Sequence, residues 1–304
     1  MIRILSTSIL LLLLFTGKSL AQQDPLYNQY LFNQAMVNPA YTGIHGVTQA
    51  QVITRAQWLG LDGAPLTNTL NFHTSILDNK IGLGALLIND QLGVNSNTEF
   101  HLAYSYNIDL GSGKLSMGLQ TGIINYAYDY SKLDLDFLDD PNFIPETENL
   151  TEPNFGAGLF YMSERWYMGI SVPRILSVEV SDGVATSTRY QRHYYVSGGF
   201  ILDQLFALKF KPSFLLKVVD GAPAALDING SFLLNETLWL GATLRNLNSV
   251  GAHAILELKN AMRIGYSFEL PSNQLITSGI GSHEVMVAID IGLFSTQAVG
   301  IRYF

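Results

Sequence analysis

The feature that most constrains this sequence is a repeated alternation of apolar and polar residues, which begins at Val47 and recurs to about residue 293. In the segment from Phe100 to Leu110 every second residue is apolar: Phe100, Leu102, Tyr104, Tyr106, Ile108 and Leu110. A period of two residues is typical of a β-strand with one apolar side and one wet side. The alternation therefore predicts an all-β fold.

The hydrophobic content does not come from membrane-spanning helices. Hydrophobic residues make up 48% of the chain and charged residues only 14%, against about 25% charged in an average soluble protein. The longest apolar stretch, Ile4 to Phe15, lies at the amino terminus behind Arg3. No later window approaches the roughly 18 to 20 uncharged residues that a spanning helix needs. A polytopic helical membrane protein is excluded.

Residues 1–21 are predicted to be a cleaved signal peptide, because an apolar core follows Arg3 and the small residues Ser19 and Ala21 suit signal peptidase cleavage after Ala21. The chain has no cysteine, which excludes a lipid-modified cysteine and disulfides. Without Arg3 and Lys18, fifteen basic and twenty-five acidic residues remain, a net charge of about −10. No basic surface for nucleic acid is therefore expected.

Two architectures give each strand one wet side: a soluble sandwich and a transmembrane barrel with a wet lumen. The outer faces of soluble sheets are normally rich in Lys and Glu. Here the polar faces consist mostly of Gly, Ser, Thr, Asn, Gln and His, and tyrosines recur near segment ends, as at Tyr126, Tyr128 and Tyr130. Aromatic residues at both ends of the strands are typical of the interfacial girdles of membrane barrels. These observations favour the barrel.

Fourteen segments carry the alternation, and the connections between them vary in length in a regular way. The segments lie near 47–58, 66–77, 80–89, 98–109, 114–128, 153–162, 165–172, 191–202, 206–218, 224–234, 237–246, 250–258, 261–270 and 282–293. All the long connections fall on one side, as in outer-membrane barrels with short periplasmic turns, although Val219–Pro223 and Leu247–Ser249 on that side are short. We predict a transmembrane antiparallel β-barrel of about 14 strands over residues 47–304, with both termini periplasmic.

A barrel of this size is too wide to be filled by its own inward side chains, since about eight strands is the limit for that. The interior is expected to hold a channel, a plug or a folded-in segment. Residues 22–46 are available and are predicted to form a short periplasmic or lumenal segment before the barrel.

Several motifs in the mature chain resemble one family. They are Asp24-Pro25-Leu26-Tyr27-Asn28-Gln29-Tyr30, Asn38-Pro39-Ala40-Tyr41-Thr42-Gly43, Arg55-Ala56-Gln57-Trp58-Leu59-Gly60 with Gly63-Ala64-Pro65 and Thr67, and the ending Arg302-Tyr303-Phe304. In this order they resemble the PorP/SprF family of Bacteroidetes outer-membrane proteins.

The resemblance implies a non-enzymatic outer-membrane component of the type IX secretion and gliding machinery. Such a barrel would bind, anchor or help export a cell-surface protein. The implied partners are a secreted adhesin, through its carboxy-terminal domain, or other type IX components, together with outer-membrane lipid. Core components and copies dedicated to one substrate both occur in the family, and the motifs do not distinguish them. An outer-membrane porin or substrate channel is the alternative, because the predicted lumen is polar.

Eight residues of the amino-terminal segment and first strand are candidates for partner binding: Tyr27, Tyr30, Phe32, Asn38, Pro39, Tyr41, Arg55 and Trp58. The composition of the run from Asn38 to Gly43 favours a chain reversal that leads into strand one, and a periplasmic or lumenal docking element is the alternative. Arg55 is expected to pair with Glu257, Glu269 or Asp227 inside the barrel, and Trp58 to join the external aromatic girdle.

Other candidate sites are weaker. The acidic segment Asp129 to Glu152 is interpreted as a solvated external loop. A calcium site, although the spacing of an EF-hand is missing, and a substrate-gating role are the alternatives. Four histidines, His73, His101, His193 and His253, are predicted on polar faces, but no hydrolase motif accompanies them or Ser75 and Ser105. We predict no catalytic residue, metal or cofactor.

The carboxy-terminal end allows two interpretations. An aromatic residue such as Phe304 is what barrel-assembly recognition generally favours, but Gly300 and Arg302 interrupt the alternation expected before it. Residues 295–304 are then a tail beyond the last strand.

Overall fold

A computed structural model describes residues 28–129, 147–181, 186–205, 208–220, 222–258, 262–272, 280–292 and 304. Within them one antiparallel sheet closes on itself, because β1 pairs with β17 and β10 pairs with β12. The strands of this sheet are β1 (Thr48–Ala56), β2 (Leu66–Ile76), β3 (Ile81–Leu92), β4 (Asn95–Leu110), β5 (Gly113–Asp129), β6 (Thr147–Ser163), β7 (Trp166–Val172), β10 (His193–Phe200), β11 (Leu202–Leu205), β12 (Leu208–Val219), β13 (Ala225–Leu234), β14 (Leu238–Arg245), β15 (Ser249–Leu258), β16 (Met262–Pro271) and β17 (Ser282–Ile291).

The barrel has the predicted fourteen strands, because β10 and β11 are one strand interrupted at Ile201. The predicted turn at Asp203–Leu205 is wrong: β11 continues through it and pairs with β12. Two further strands, β8 (Val178–Ser181) and β9 (Thr186–Tyr190), form a separate hairpin in the connection after β7. Alternation did not predict this hairpin, because its strands have only four and five residues.

Two connections are shorter than predicted. Strands β3 and β4 pair out to Leu92 and Asn95, so a predicted eight-residue loop shrinks to Gly93 and Val94. Strand β6 begins at Thr147 instead of near residue 153, because it pairs with β5 as far as Asp129. Backbone pairing therefore continues beyond the alternating segments, and β4 to β6 reach 16 or 17 residues whereas β7 has seven.

The alternation separates an apolar outside from a polar inside. On β4 the outward residues Phe100, Leu102 and Tyr104 are exposed, while His101 and Ser105 are buried inside. On β17, Val285, Val287 and Ile289 point out and Glu284 and Asp290 point in. Among the described residues no helix is long and apolar enough to cross a membrane.

The turns at one end of the barrel are tight. Leu77, Asp78 and Asn79 adopt positive φ in the β2–β3 turn, as do Asn235 and Glu236 in the β13–β14 turn. We call this end the tight-turn end and the other, which carries the β1–β2 and β7–β10 connections, the long-loop end.

Residues before β1 lie inside the barrel as three 3-10 helices, η1 (Asn28–Phe32), η2 (Gln34–Met36) and η3 (Pro39–Tyr41). Asn33 and Asn38 are extended and cap η2 and η3 by accepting hydrogen bonds from Ala35 N and Ala40 N. Every residue from Tyr30 to Ile44 is buried. We call residues 28–47 the plug. Of the two alternatives for this segment, the structure shows the lumenal one.

Candidate functional site

The plug follows the inner wall of the barrel in strand order. Its contacts run from β4 through β6, β7 and β10 to β12: Ser105 Oγ donates to Thr42 O at 2.6 Å, Asn38 Nδ2 to Leu159 O at 3.0 Å and Ile170 O at 3.4 Å, Ser171 Oγ to Val37 O at 2.6 Å, Ser197 Oγ to Gln34 Oε1 at 2.8 Å, and Lys211 Nζ to Leu31 O at 3.3 Å. From β4 to β12 these contacts extend over six neighbouring strands of the fourteen.

Glycines on the inner wall make room for the plug backbone. A Cβ on Gly118 would lie 2.2 Å from Ala40 N and 2.4 Å from Ala40 Cα. A Cβ on Gly158 would lie 2.1 Å from Asn38 Oδ1, and one on Gly82 2.0 Å from Thr42 O. No side chain fits at these distances, so the wall is shaped to the turn from Asn38 to Thr42.

The wall recognises the plug by side chains. Within the described residues, no backbone-to-backbone hydrogen bond joins the two, because the plug's own turns supply partners such as Tyr41 N to Asn38 O. Wall hydroxyls and one ammonium donate instead to plug carbonyls. Because the contacts need particular wall residues, the lumen is a sequence-specific seat for this segment.

Lys211 holds the first turn of the plug. Its side chain is fully buried, with Nζ 4.1 Å from the Phe32 ring centroid and 4.9 Å from that of Trp239. Phe32 in turn packs edge-on against Trp239 at 5.6 Å and His253 at 5.8 Å. A cation over two aromatic rings is attracted to both, more strongly when water is excluded.

Tyr41 holds the other end of the plug. Its ring meets Phe160 edge-on at 5.4 Å and His73 at 6.1 Å, and its hydroxyl lies 2.9 Å from His45 Nε2. The same hydroxyl donates to Phe304 O at 3.1 Å. Phe304, predicted either to serve assembly or to belong to a tail, therefore lies against the plug inside the lumen.

Charged side chains cluster inside the barrel at the long-loop end. Arg55 pairs with Glu269 at 3.2 Å and with Glu284 at 3.4 Å. Arg245 pairs with Glu269 at 3.0 Å and Asp227 at 3.1 Å. The network links β13, β14, β16, β17 and β1 across the seam where the first and last strands meet.

The chain after β7 folds into the same mouth on the opposite side. Arg174 contacts Glu99 at 2.8 Å, and Glu99 also pairs with His101 at 2.9 Å. Gln120 Nε2 donates to Pro173 O at 2.7 Å. The lumen is thus occupied by the plug at one level and narrowed by this segment and the ion pairs at the next.

The structure brings most of the predicted site residues together. Tyr30, Phe32, Asn38, Pro39 and Tyr41 are all buried in the plug; burial raises the pKa of the Tyr30 phenol well above its ordinary value. Tyr27 lies outside the described residues. A partner-binding role for the eight candidates stays a prediction.

Arg55 and Trp58 lie at the long-loop end, away from the plug. Of the three carboxylates predicted for Arg55 only Glu269 is right, because Asp227 pairs with Arg245 and Glu257 lies opposite Arg263. Glu284 was missed, although it faces Arg55 directly across the seam. Trp58 begins the turn after β1 at φ 50° instead of ending the strand. Its girdle role stays a prediction.

The four histidines predicted on polar faces are buried inside the barrel, as expected: His73, His101, His193 and His253. They lie on β2, β4, β10 and β15. Among the described residues no cluster of His, Cys, Asp or Glu could hold a metal ion. Most of the acidic segment 129–152 lies outside those residues, so the calcium alternative remains open.

Several functional residues were missed at the sequence level. Lys211, Ser171, Gly118 and Gly158 were visible only as ordinary members of polar faces, and their role depends on register across the sheet. A usable signal was the lysine itself, since an inward lysine on a strand needs a partner inside the barrel.

Together these observations define a closed fourteen-strand barrel with an apolar outer surface and a lumen plugged by its own amino-terminal segment. The chain belongs to the family described as type IX secretion system membrane protein PorP/SprF, whose match extends over residues 19–289. The family and the apolar outer band support an outer-membrane location.

Comparison with other proteins found only distant similarities beyond the family. A search of curated proteins found no match. Among solved structures, an outer-membrane protein of Acinetobacter baumannii is 8% identical with TM-score 0.47, over 82% of this chain and all of that one. A FadL homologue of Pseudomonas aeruginosa is 11% identical with TM-score 0.47, over 90% of this chain and 95% of that one. Similarities at this level carry no information about function.

Proposed function

We propose that this chain is a non-enzymatic outer-membrane barrel of the type IX secretion and gliding machinery that binds, anchors or helps export a cell-surface protein. Family membership supports the machinery. The observation that carries the mechanism is the plug, because a lumen filled from β4 to β12 is no route for a secreted chain. Cargo is then held at the rim or alongside the barrel.

Co-purification tests the partner. The tagged barrel is solubilised from its native membrane and the associated proteins are identified. We expect a type IX component or a large secreted adhesin, and recovery of neither would contradict the proposal. A variant lacking residues 24–43 separates the roles of the segment: an assembled barrel that no longer recovers its partner favours docking, and failure to assemble favours a structural role.

The alternative, a porin or substrate channel, rests on the polar inner wall, which carries Gln49, Gln51, Asn71 and Ser116. Bilayer conductance separates the two. A plugged anchor should show little steady current, and its current should rise when residues 28–46 are deleted. A large steady current from the intact protein would favour the channel.

We further propose that the tight-turn end and both termini are periplasmic, as the difference in loop length suggests. Because the chain has no cysteine, single cysteines can report each side. Leu77 at the tight-turn end is 65% exposed and Leu247 at the long-loop end 79% exposed. An impermeant maleimide added to intact cells should label the Leu247→Cys protein, and the Leu77→Cys protein only after the outer membrane is permeabilised. The reverse result would invert the topology.

A further inference from the structure

Four aromatic side chains close a ring of contacts around the last turn of the plug. Tyr41 of the plug packs on Phe160 of β6 at 5.4 Å, and Phe160 stacks on Tyr167 of β7 at 5.5 Å. Tyr167 meets Phe304 edge-on at 5.0 Å, and Phe304 O accepts the hydrogen bond from Tyr41 Oη at 3.1 Å. The ring thus returns to the plug through Phe304.

Phe304 differs from the other members in where it comes from. Phe160 and Tyr167 are fixed by adjacent strands that pair from Ala157 to Met162, and Tyr41 belongs to η3. Phe304 belongs to neither the sheet nor the plug, yet its side chain is 7% exposed. If Phe304 moved out of the lumen, both Tyr167 and Tyr41 would lose a contact, so the positions of the three residues depend on one another.

We propose that Phe304 is a positioning residue that locks η3 of the plug against β6 and β7. On one side η3 is held by the wall, through Asn38 and the recess at Gly158. Phe304 covers it from another side and fixes the Tyr41 hydroxyl. The segment before β1 is thereby joined inside the lumen to a residue that lies beyond β17 in the sequence.

The lock acts on one end of the plug. The first turn, from Tyr30 to Phe32, is held by another set of residues, Lys211, Trp239 and His253, which pack on Phe32. Removing the Phe304 ring should therefore loosen the turn around Tyr41 and Thr42 while η2 stays seated. This locality distinguishes a lock from a general contribution to barrel stability.

Cysteine labelling tests the lock in the full-length barrel in detergent or nanodiscs. Two reporters are used, Thr42→Cys beside η3 and Ala35→Cys in η2, at positions 2% and 8% exposed. Combined with Phe304→Ala, the Thr42→Cys reporter should react with a maleimide about tenfold faster, because local opening becomes more frequent. The Ala35→Cys reporter should change less than about twofold.

Two further variants guard the interpretation, and folding of each is checked by heat-modifiable migration on a gel. Tyr41→Phe keeps the ring and removes only the hydroxyl, so the rate at the Thr42→Cys reporter should rise by about threefold at most. Phe304→Leu keeps an apolar side chain and replaces Phe304→Ala if that variant does not assemble; its expected increase lies between the other two. Unchanged labelling in a folded Phe304 variant, or an equal rise at both reporters, would overturn the lock.

Discussion

The two ends of the lumen are built from different chemistry. At the tight-turn side the wall meets a separate segment, and it does so with glycine recesses, hydroxyl donors and aromatic rings such as Phe160 and Trp239. At the long-loop end the wall meets mainly itself, through ion pairs between strands, of which Arg55 to Glu284 crosses the seam. The wall recognises the plug by its shape and by donating hydrogen bonds to plug carbonyls, whereas ion pairs hold neighbouring strands together.

The difference follows from what each region must bury. A segment of 3-10 turns carries carbonyls whose hydrogen bonds its own helix does not complete, so donors on the wall satisfy them. Paired strands already satisfy the hydrogen bonds of each other's backbone groups. At the strand ends only the polar and charged side chains still need partners. Buried charges are tolerated there because each has a partner of opposite sign.

The largest expected effect comes from filling a glycine recess. Gly118→Ala places a Cβ within 2.4 Å of Ala40 backbone atoms, which cannot rotate away. We expect a loss of about 3 kcal/mol in the free energy of unfolding, the upper range for overpacking, with the plug displaced and conductance increased. Urea unfolding in vesicles and bilayer recording measure the two effects.

Gly230→Ala is the matched control, because it is also a strand glycine but its nearest neighbour is the Phe210 side chain at 3.2 Å. It should cost less than about 1 kcal/mol and leave conductance unchanged. Equal effects at the two glycines would show that the recess at Gly118 is not specific to the plug.

The next effect tests the charged end. Glu269→Gln removes the carboxylate shared by Arg55 and Arg245, which each keep a second partner in Glu284 and Asp227. Breaking a buried pair costs about 3 to 5 kcal/mol when nothing replaces the lost partner, so we expect about 2 kcal/mol here and no change in plug labelling. The loss should vary little with salt, since buried pairs are weakly screened.

Glu236→Gln provides the comparison at the surface. Glu236 pairs with Lys209 at the tight-turn end and its side chain is 45% exposed. Exposed pairs contribute about 0 to 1 kcal/mol, so the substitution should change stability by less than about 0.5 kcal/mol. If it destabilises the barrel as much as Glu269→Gln, the ion pairs at the long-loop end have no special role.

The sequence predicted the wall far better than the contents of the lumen. Alternation sets which side chains face lipid, and this local property located all fourteen strands. It does not set register, which decides that Arg55 faces Glu284 and that Glu257 faces Arg263. Arg55 and Glu284 are 229 residues apart in the sequence, and their pairing could not be derived from a period of two.

The plug shows a second kind of limit. The turn signal at Asn38-Pro39 was read correctly from Pro and Asn chemistry, and Asn38 does cap η3. Its seat was not predictable, because Gly118 and Gly158 are recognisable as recesses only when a backbone lies against them. The role of Lys211 was not predictable either, because it depends on contact with Phe32, which is far away in the sequence.

Apart from the control variants, the smallest expected effect on stability comes from Lys211, whose charge holds the plug. Lys211 is fully buried, and no carboxylate among the described residues lies within ion-pair distance of it. Burying an ammonium costs several kcal/mol, and a desolvated cation–π contact returns about 2 kcal/mol with a further 1.5 to 3 kcal/mol or so from a charged hydrogen bond. These terms nearly cancel, so Lys211→Met should change the free energy of unfolding by less than about 1 kcal/mol.

Lys211→Met should still loosen the first turn of the plug, because Leu31 O loses its hydrogen-bond donor. Labelling of the Ala35→Cys reporter should rise about threefold, while labelling of the Thr42→Cys reporter stays constant. Lys209→Met, two residues earlier on the same strand, should change neither reporter. A loss of more than about 3 kcal/mol in Lys211→Met would mean that the ammonium stabilises the barrel itself and not the seating of the plug.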